Sequence, residues 1–189
     1  MNRVYLITER PSDAEILRKV LPKSAQERVQ FVESKSDYDA ESRAMSLLAE
    51  KRLPVVLVLN SRTNDESAIQ QRKADLGYLL RTYSGSVPFK LAIAVPELEV
   101  IFFQDRSLIE TLIGKALTDL EWKFAQRHPQ ELLDTLAEDK TALLAEILRL
   151  LSPETRQLLQ QYPLIHEITT FLLEISIHQK SIEESAVPG

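Results

Sequence analysis

Acidic residues follow several apolar segments of this chain, near the points where those segments end. Glu9 comes directly after V-Y-L-I-T, and Asp65, Glu97 and Glu99 follow two later apolar segments. Carboxylate oxygens are ligands that hard cations such as Mg²⁺ accept. A lone acid such as Glu9 is also common as a solvated turn residue, and the local sequence admits both interpretations. Which interpretation holds depends on the elements that position these acids.

Four apolar runs have the length of a β-strand. They are Val4 to Ile7, Val29 to Val32, Val55 to Leu59 and Leu91 to Val95. The third, V-V-L-V-L, is continuous rather than alternating, which is typical of a strand covered on both faces of a parallel sheet. Segments with apolar residues at helical spacing separate the runs. This order predicts an α/β fold, Rossmann-like, in which a four-stranded parallel sheet has helices on both faces.

Boundary signals support the same order of elements. Ser12 with Glu15 three residues later has the pattern of a capping box and predicts the start of the first helix. Pro22 and the segment S-G-S at 84–86 predict helix ends. After Val95 the chain has leucines and isoleucines at helical spacing but no further strand pattern. We therefore expect an α/β domain over 1–105, a helical extension over 106–178 that packs on it or forms a small lobe, and a flexible tail over 179–189.

Composition limits the classes of function. The 189 residues carry a net charge of −5 and no cysteine, which excludes disulfides, thiolate metal sites and a general attraction to nucleic acid. No apolar run approaches the roughly 20 residues of a membrane helix, and the N-terminus does not resemble a signal peptide. We expect a cytoplasmic protein that does not enter membranes.

Two common kinds of site have no support in the sequence. The loops after the apolar runs contain neither G-x-x-x-x-G-K-[ST] nor G-x-G-x-x-G, which argues against a phosphate cradle made of backbone amides. His128, His166 and His178 lie far apart in the helical half, without the spacing of zinc ligands.

Two segments resemble the Toprim domain, which topoisomerases, primases and the overcoming-lysogenization-defect nucleases share. The first is I-T-E-R-P-S-D-A-E-I-L at 7–17, in which a strand ends in glutamate before a short turn into a helix. The second is P-E-L-E-V-I-F-F-Q-D at 96–105, which is similar to small stand-alone Toprim-like proteins of bacteria. The resemblance covers roughly residues 3–105 and implies a Mg²⁺ site for phosphoryl transfer or nuclease chemistry.

The resemblance also implies which residues would hold the metal. The family's first-strand glutamate corresponds to Glu9, and the two acids of its D-x-D motif correspond to Asn60 and Arg62. Arginine places a fixed positive charge where an anionic ligand belongs, and at ~4 Å from a metal its repulsion is on the order of several kcal/mol. Asp65, Glu97 or Glu99 could compensate only if their loops bring them inward.

Three hypotheses for function follow. The preferred one is a degenerate Toprim-like protein with a lost or weakened metal site, which acts as a binding or interaction module and holds a phosphate or acidic group through Arg10 and Arg62. The second is an active Mg²⁺-dependent nuclease or phosphotransferase that uses Glu9 with Asp65 and Glu99. The third is an unrelated doubly wound ligand-binding domain. The expected partners are a nucleic acid or a protein that contacts the C-terminal helices, with a homodimer among the options.

Overall fold

A computed structural model of the chain describes residues 3–136 and 140–185. The strands are β1 (Val4–Thr8), β2 (Val29–Glu33), β3 (Val55–Asn60) and β4 (Phe89–Ala94). The helices of the first half are α1 (Pro11–Val20), α2 (Lys23–Gln26), α3 (Asp37–Ala49) and α4 (Glu66–Ser84). After β4 come a 3₁₀ helix (Leu98–Phe103) and then α5 (Arg106–Ile113), α6 (Asp119–Ala125), α7 (Pro129–Leu136), α8 (Lys140–Leu150), α9 (Pro153–Gln160) and α10 (Pro163–Ser185).

The four strands form one parallel sheet in the order β2-β1-β3-β4. The predicted α/β fold is therefore confirmed, and the first and third strands are neighbours. Thr8 is in register with both Glu33 of β2 and Val58 of β3. The carboxyl ends of the strands thus meet at one edge of the sheet, where ligands bind in open α/β folds.

Two apolar cores cover the two faces of the sheet. Alternate side chains of each strand point to opposite faces, so Leu6 and Val56 enter one core while Ile7 and Leu57 enter the other. Helices α3 and α4 close the second core. Helix α1 and the helical half of the chain close the first core, in which Phe102 of the 3₁₀ helix is fully buried. The C-terminal helices therefore pack on the sheet.

Three helices of the second half of the chain begin at a proline. Helices α7, α9 and α10 each have proline as their first residue, a position where the missing N–H costs nothing. Ser152 caps α9 by accepting a hydrogen bond from Thr155 N. Helix α10 continues to Ser185, into the stretch for which we predicted a tail, and residues 186–189 lie outside the described part. No helix among the described residues has the length and apolar character needed to cross a membrane.

The start of α1 differs from the prediction. Helix α1 begins at Pro11, its N-cap residue is Arg10, and no side chain caps it. The capping box that we predicted at Ser12 and Glu15 is therefore wrong. Proline fixes φ in the helical range, so the first turn begins at Pro11 and Ser12 lies inside the helix, where it cannot be the cap. Asp13 is the third residue of this helix, and its side chain is fully buried.

Candidate functional site

Glu9 lies at the carboxyl end of β1 and is almost completely buried, with 1% of its surface exposed. Its carboxylate accepts three hydrogen bonds across the sheet. Asn60 donates two of them, from its backbone N at 3.1 Å and from Nδ2 at 3.0 Å. Arg62 donates the third from Nη2, at 2.8 Å. The two positions of the expected D-x-D motif are thus the direct partners of Glu9.

Asp13 is a second buried carboxylate at the same place. Arg10 holds it with two hydrogen bonds, from Nε at 3.2 Å and from Nη2 at 2.7 Å. Asn60 Nδ2, which also donates to Glu9, donates to Asp13 at 3.0 Å. Asn60 therefore bridges two acids, and its Oδ1 accepts a hydrogen bond from Leu98 N at 2.7 Å. The amide joins β1, α1 and the 3₁₀ helix.

Glu99 is the third buried carboxylate, with 3% of its surface exposed. It lies in the 3₁₀ helix and accepts a hydrogen bond from Arg10 Nη2 at 2.8 Å. Gln130 of α7 accepts another from Arg10 Nη1. We call Glu9, Arg10, Asp13, Asn60, Arg62 and Glu99 the ionic cluster. A cleft of about 530 Å³ opens beside Arg10 and Glu99.

The loop after β3 places Arg62 by means of an uncommon backbone conformation. Arg62 has φ of 55°, in the left-handed region that residues other than glycine rarely adopt. Two hydrogen bonds fix this loop against the end of β4, from Ser61 N to Ala94 O and from Arg62 N to Pro96 O, each at 2.9 Å. The strained conformation is held by the neighbouring strand, and the Arg62 side chain reaches back to Glu9.

A chain of ion pairs extends the ionic cluster along the surface. Asp37, the first residue of α3, lies 4.0 Å from Arg62 Nη1 and 3.3 Å from Arg72 Nη2. Arg72 also pairs with Glu41 at 3.4 Å. Burial opposes ionisation of Asp37, but the N–H of Tyr38 and the two arginines together hold its pKa below the ordinary value. The surface around Arg62 is therefore occupied by acids of the chain itself.

Three carboxylates and two guanidinium groups leave the ionic cluster with one negative charge too many. Burial raises the pKa of Glu99 to about 7, against the attraction of Arg10 and with the support of the nearby charge of Asp13. Burial also raises the pKa of Asp13, although hydrogen bonds from Arg10 and Asn60 oppose the rise. Burial by itself would lower the pKa of Arg10, but the hydrogen bonds and negative charges of Asp13 and Glu99 have the larger combined effect and raise that pKa. A proton on Glu99 would balance the charges of the ionic cluster.

The other predicted metal ligands have different roles in the structure. Asp65 is exposed and is the N-cap of α4, where its Oδ1 accepts hydrogen bonds from Ser67 N and Ala68 N. Glu97 accepts a hydrogen bond from Gln130 N at 3.2 Å and so fixes the start of α7. Only Glu9 and Glu99 of the four predicted ligands belong to the ionic cluster.

Arg10 and Arg62, the predicted phosphate ligands, also differ in how they are used. Arg10 directs four of its five N–H donors to Asp13, Glu99 and Gln130, and 20% of its side chain is exposed. Arg62 has 54% of its side chain exposed and pairs with Glu9 on its buried side. Arg62 is therefore the more exposed of these two arginines.

The donor set does not fit a resident Mg²⁺ ion at Glu9. The ion takes carboxylate, substrate and water oxygens in an octahedron, whereas both Glu9 oxygens here accept N–H groups, one of them from a cation. Asn60 turns its Nδ2, and not its oxygen, toward Glu9 and Asp13. Within residues 3–136 and 140–185, no three His, Asp or Glu side chains form a group that could hold a metal ion.

Sequence reasoning missed two members of this site. Neither Asp13 nor Gln130 was among the candidate site residues. The R-P-S-D spacing at 10–13 contained a usable signal, because arginine at the N-cap lies one helical turn from Asp13. Gln130 gave no such signal, since 120 residues separate it from Arg10.

Comparison of the chain with protein-family models, with curated proteins and with solved structures found no match in any of the three. The Toprim-like relationship therefore stays a prediction from the two segments that carry it.

Proposed function

We propose that this protein is a degenerate Toprim-like protein that acts by binding, with the guanidinium of Arg62 in place of a metal ion. The observation that carries the proposal is the 2.8 Å contact between Arg62 Nη2 and Glu9 Oε1. This contact supplies positive charge to the carboxylate that the family resemblance assigns to the metal. A Mg²⁺ ion could reach Glu9 only after Arg62 had left and the amide of Asn60 had turned over.

The exposure of the two arginines supports a binding role for Arg62 in particular. Arg10 directs most of its donors inward, while more than half of the Arg62 side chain faces solvent. A partner with a phosphate or carboxylate group could approach Arg62 from that side. Its attraction would compete with Asp37, which lies 4.0 Å from Arg62 Nη1. The proposed activity is therefore recognition of an acidic group, without metal chemistry at this site.

Metal binding tests the proposal directly. Titration of the wild-type protein with Mn²⁺ or Mg²⁺ in a calorimeter should give no saturable heat, because Arg62 and Asn60 already satisfy Glu9. The N60D/R62D double variant should gain Mn²⁺ affinity and a Mn²⁺-dependent rise in Tm, because it restores the two acids that the family pattern requires.

A matched control separates this effect from a general increase in negative charge. The N64D/R72D double variant makes the same charge change as N60D/R62D, but Asn64 is exposed and Arg72 contacts Asp37 and Glu41 rather than Glu9. If N60D/R62D binds Mn²⁺ no better than N64D/R72D, positions 60 and 62 are not former ligand positions and the Toprim-like part of the proposal is wrong.

Activity measurements supply the opposite test. Incubation of the wild-type protein with Mn²⁺ and single- or double-stranded nucleic acid should leave the nucleic acid intact. Metal-dependent cleavage that disappears in the Glu9→Gln variant would overturn the proposal and establish the enzyme alternative.

A further inference from the structure

The outer strands β2 and β4 form the two lateral edges of the sheet, and these edges are protected to different extents. At the β4 edge, Lys90 pairs with Glu167 of α10 at 2.8 Å, and Tyr162 and Leu164 border a groove along the strand. At the β2 edge, no further strand pairs with Val29–Glu33 within residues 3–136 and 140–185. An unpaired strand presents a row of backbone donors and acceptors to other chains.

The register of β2 identifies which backbone groups face outward. Arg28 O accepts a hydrogen bond from Val4 N, and Ser34 N donates to Thr8 O. Backbone groups alternate in direction along a strand, so the groups of Val29, Phe31 and Glu33 point away from β1. Three successive outward positions can pair with an added strand.

The surface around these groups is concave and basic. A groove of about 480 Å³ runs along the edge, and its charged residues are Arg3, Arg18, Arg28 and Glu27. Val29 and Phe31 supply its apolar floor, and the Arg18 guanidinium lies 4.7 Å from the centre of the Phe31 ring. Arg18 Nη1 also pairs with Glu33 Oε1 at 2.8 Å, so a bound acid would compete with Glu33 for this guanidinium. Three arginines against Glu27 and Glu33 still leave this edge with a positive charge, on a chain whose net charge is −5.

A second groove lies on the opposite face of the same edge. It measures about 420 Å³, and Tyr5, Val32 and Leu47 contribute apolar surface to it. An added strand would send alternate side chains into the two grooves, because successive residues point to opposite faces. The two grooves therefore fit the side-chain pattern of an extended peptide.

We propose that the β2 edge binds an acidic, extended peptide segment of a partner protein as a fifth strand of the sheet. Backbone hydrogen bonds to Val29, Phe31 and Glu33 hold the segment, and its acidic side chains face Arg3, Arg18 and Arg28. This mode is β-strand addition, in which main-chain bonds give affinity and side-chain grooves give selectivity. The interaction goes beyond the proposed recognition at Arg62, since it uses a different edge and no member of the ionic cluster.

Fluorescence anisotropy with a labelled peptide of alternating glutamate and valine tests the proposal. The peptide should bind, with affinity that falls as salt increases. A peptide with alternating lysine and valine should bind at least tenfold more weakly. A glutamate–valine peptide with alternate backbone nitrogens methylated should lose roughly tenfold or more in affinity, because it cannot pair with the strand. Equal binding of either control peptide would overturn the proposal.

Substitutions and amide exchange locate the bound peptide. Arg3→Gln should weaken binding about threefold, while Arg149→Gln, which makes the same charge change on exposed α8, should leave it unchanged. The amide hydrogens of Val29, Phe31 and Glu33 should become protected when the peptide binds, since only outward-facing amides gain a partner.

Protection of these amides by self-association would assign the edge to a second copy of this chain. Binding of a single-stranded oligonucleotide without peptide binding would assign the groove to nucleic acid, and either result would refute the proposal.

Discussion

Replacement of Glu99 by glutamine should remove much of the pH dependence of stability near neutral pH. Glu99 is buried beside Arg10 and Asp13, in an ionic cluster that has one more carboxylate than it has cations. Glutamine has nearly the same shape, stays uncharged at every pH and can still accept the hydrogen bond from Arg10. The variant therefore changes the ionisation of this position and little else.

The magnitude follows from the pKa of Glu99, which burial raises from an ordinary 4.5 to about 7. Below pH 4.5 the carboxyl is protonated in both the folded and the unfolded chain, so the stabilisation that protonation gives is fully present. Between pH 4.5 and about 7 the unfolded chain has lost this proton but the folded protein still holds it, so stability falls by about 1.4 kcal/mol per pH unit. By the pH at which the folded protein also loses the proton, the total loss is roughly 3 kcal/mol. The raised pKa of Asp13 acts in the same direction. Wild-type stability should thus fall between about pH 4.5 and pH 7 and level off above that range.

Urea denaturation followed by Trp122 fluorescence measures the effect. Trp122 is the only tryptophan, and its ring lies 6.3 Å from that of Phe103 in the 3₁₀ helix that contains Glu99. The Glu99→Gln variant should match the wild type near pH 4 and exceed its free energy of unfolding by up to roughly 3 kcal/mol near pH 8. Glu15→Gln, at an exposed position of the adjacent cleft, is the matched control and should change the profile little. A difference between Glu99→Gln and wild type that does not vary with pH would refute the reasoning.

Two further substitutions test the assignments of single side chains. Asn60→Ala removes three buried side-chain hydrogen bonds and should cost about 2–4 kcal/mol of unfolding free energy in urea, whereas Asn64→Ala at an exposed position should cost less than about 0.5 kcal/mol. Asp65→Ala should cost about 1 kcal/mol because α4 loses its N-cap, and Asp65→Asn should restore that stability. A change in Mn²⁺ binding with the Asp65→Asn variant would contradict the cap assignment and favour a ligand role.

Most of the fold could be predicted from sequence because its signals are local. The continuous run V-V-L-V-L predicts burial on both faces, and it forms β3, one of the two inner strands of the sheet. The same logic placed the carboxyl ends of the strands, and with them Glu9 and Asn60, at one edge. The predicted cap at Ser12 failed because α1 begins at Pro11, two residues earlier than that cap implies, and such boundaries depend on small differences between competing local signals.

The chemistry of the site was much less predictable. The sequence pointed to Glu9, Asn60 and Arg62 as neighbours, but it also offered Asp65 as a ligand, which α4 uses as a cap. Arg10 looked available for a phosphate until the structure placed Asp13, Glu99 and Gln130 around it. Hydrogen-bond partners that lie many residues apart leave no periodic pattern to detect.

The sequence by itself determined the parallel sheet, its helical cover and the edge at which polar residues gather, because hydrophobic periodicity encodes burial one element at a time. Only the tertiary structure decided how the charges at that edge are paired. The left-handed backbone at Arg62, held by β4, turns a guanidinium toward Glu9, and the packing of α7 and the 3₁₀ helix encloses Arg10. Because Glu9, Asp13 and Glu99 are buried, each needs a hydrogen-bond or charge partner. A buried carboxylate without such a partner is far less stable than one in water.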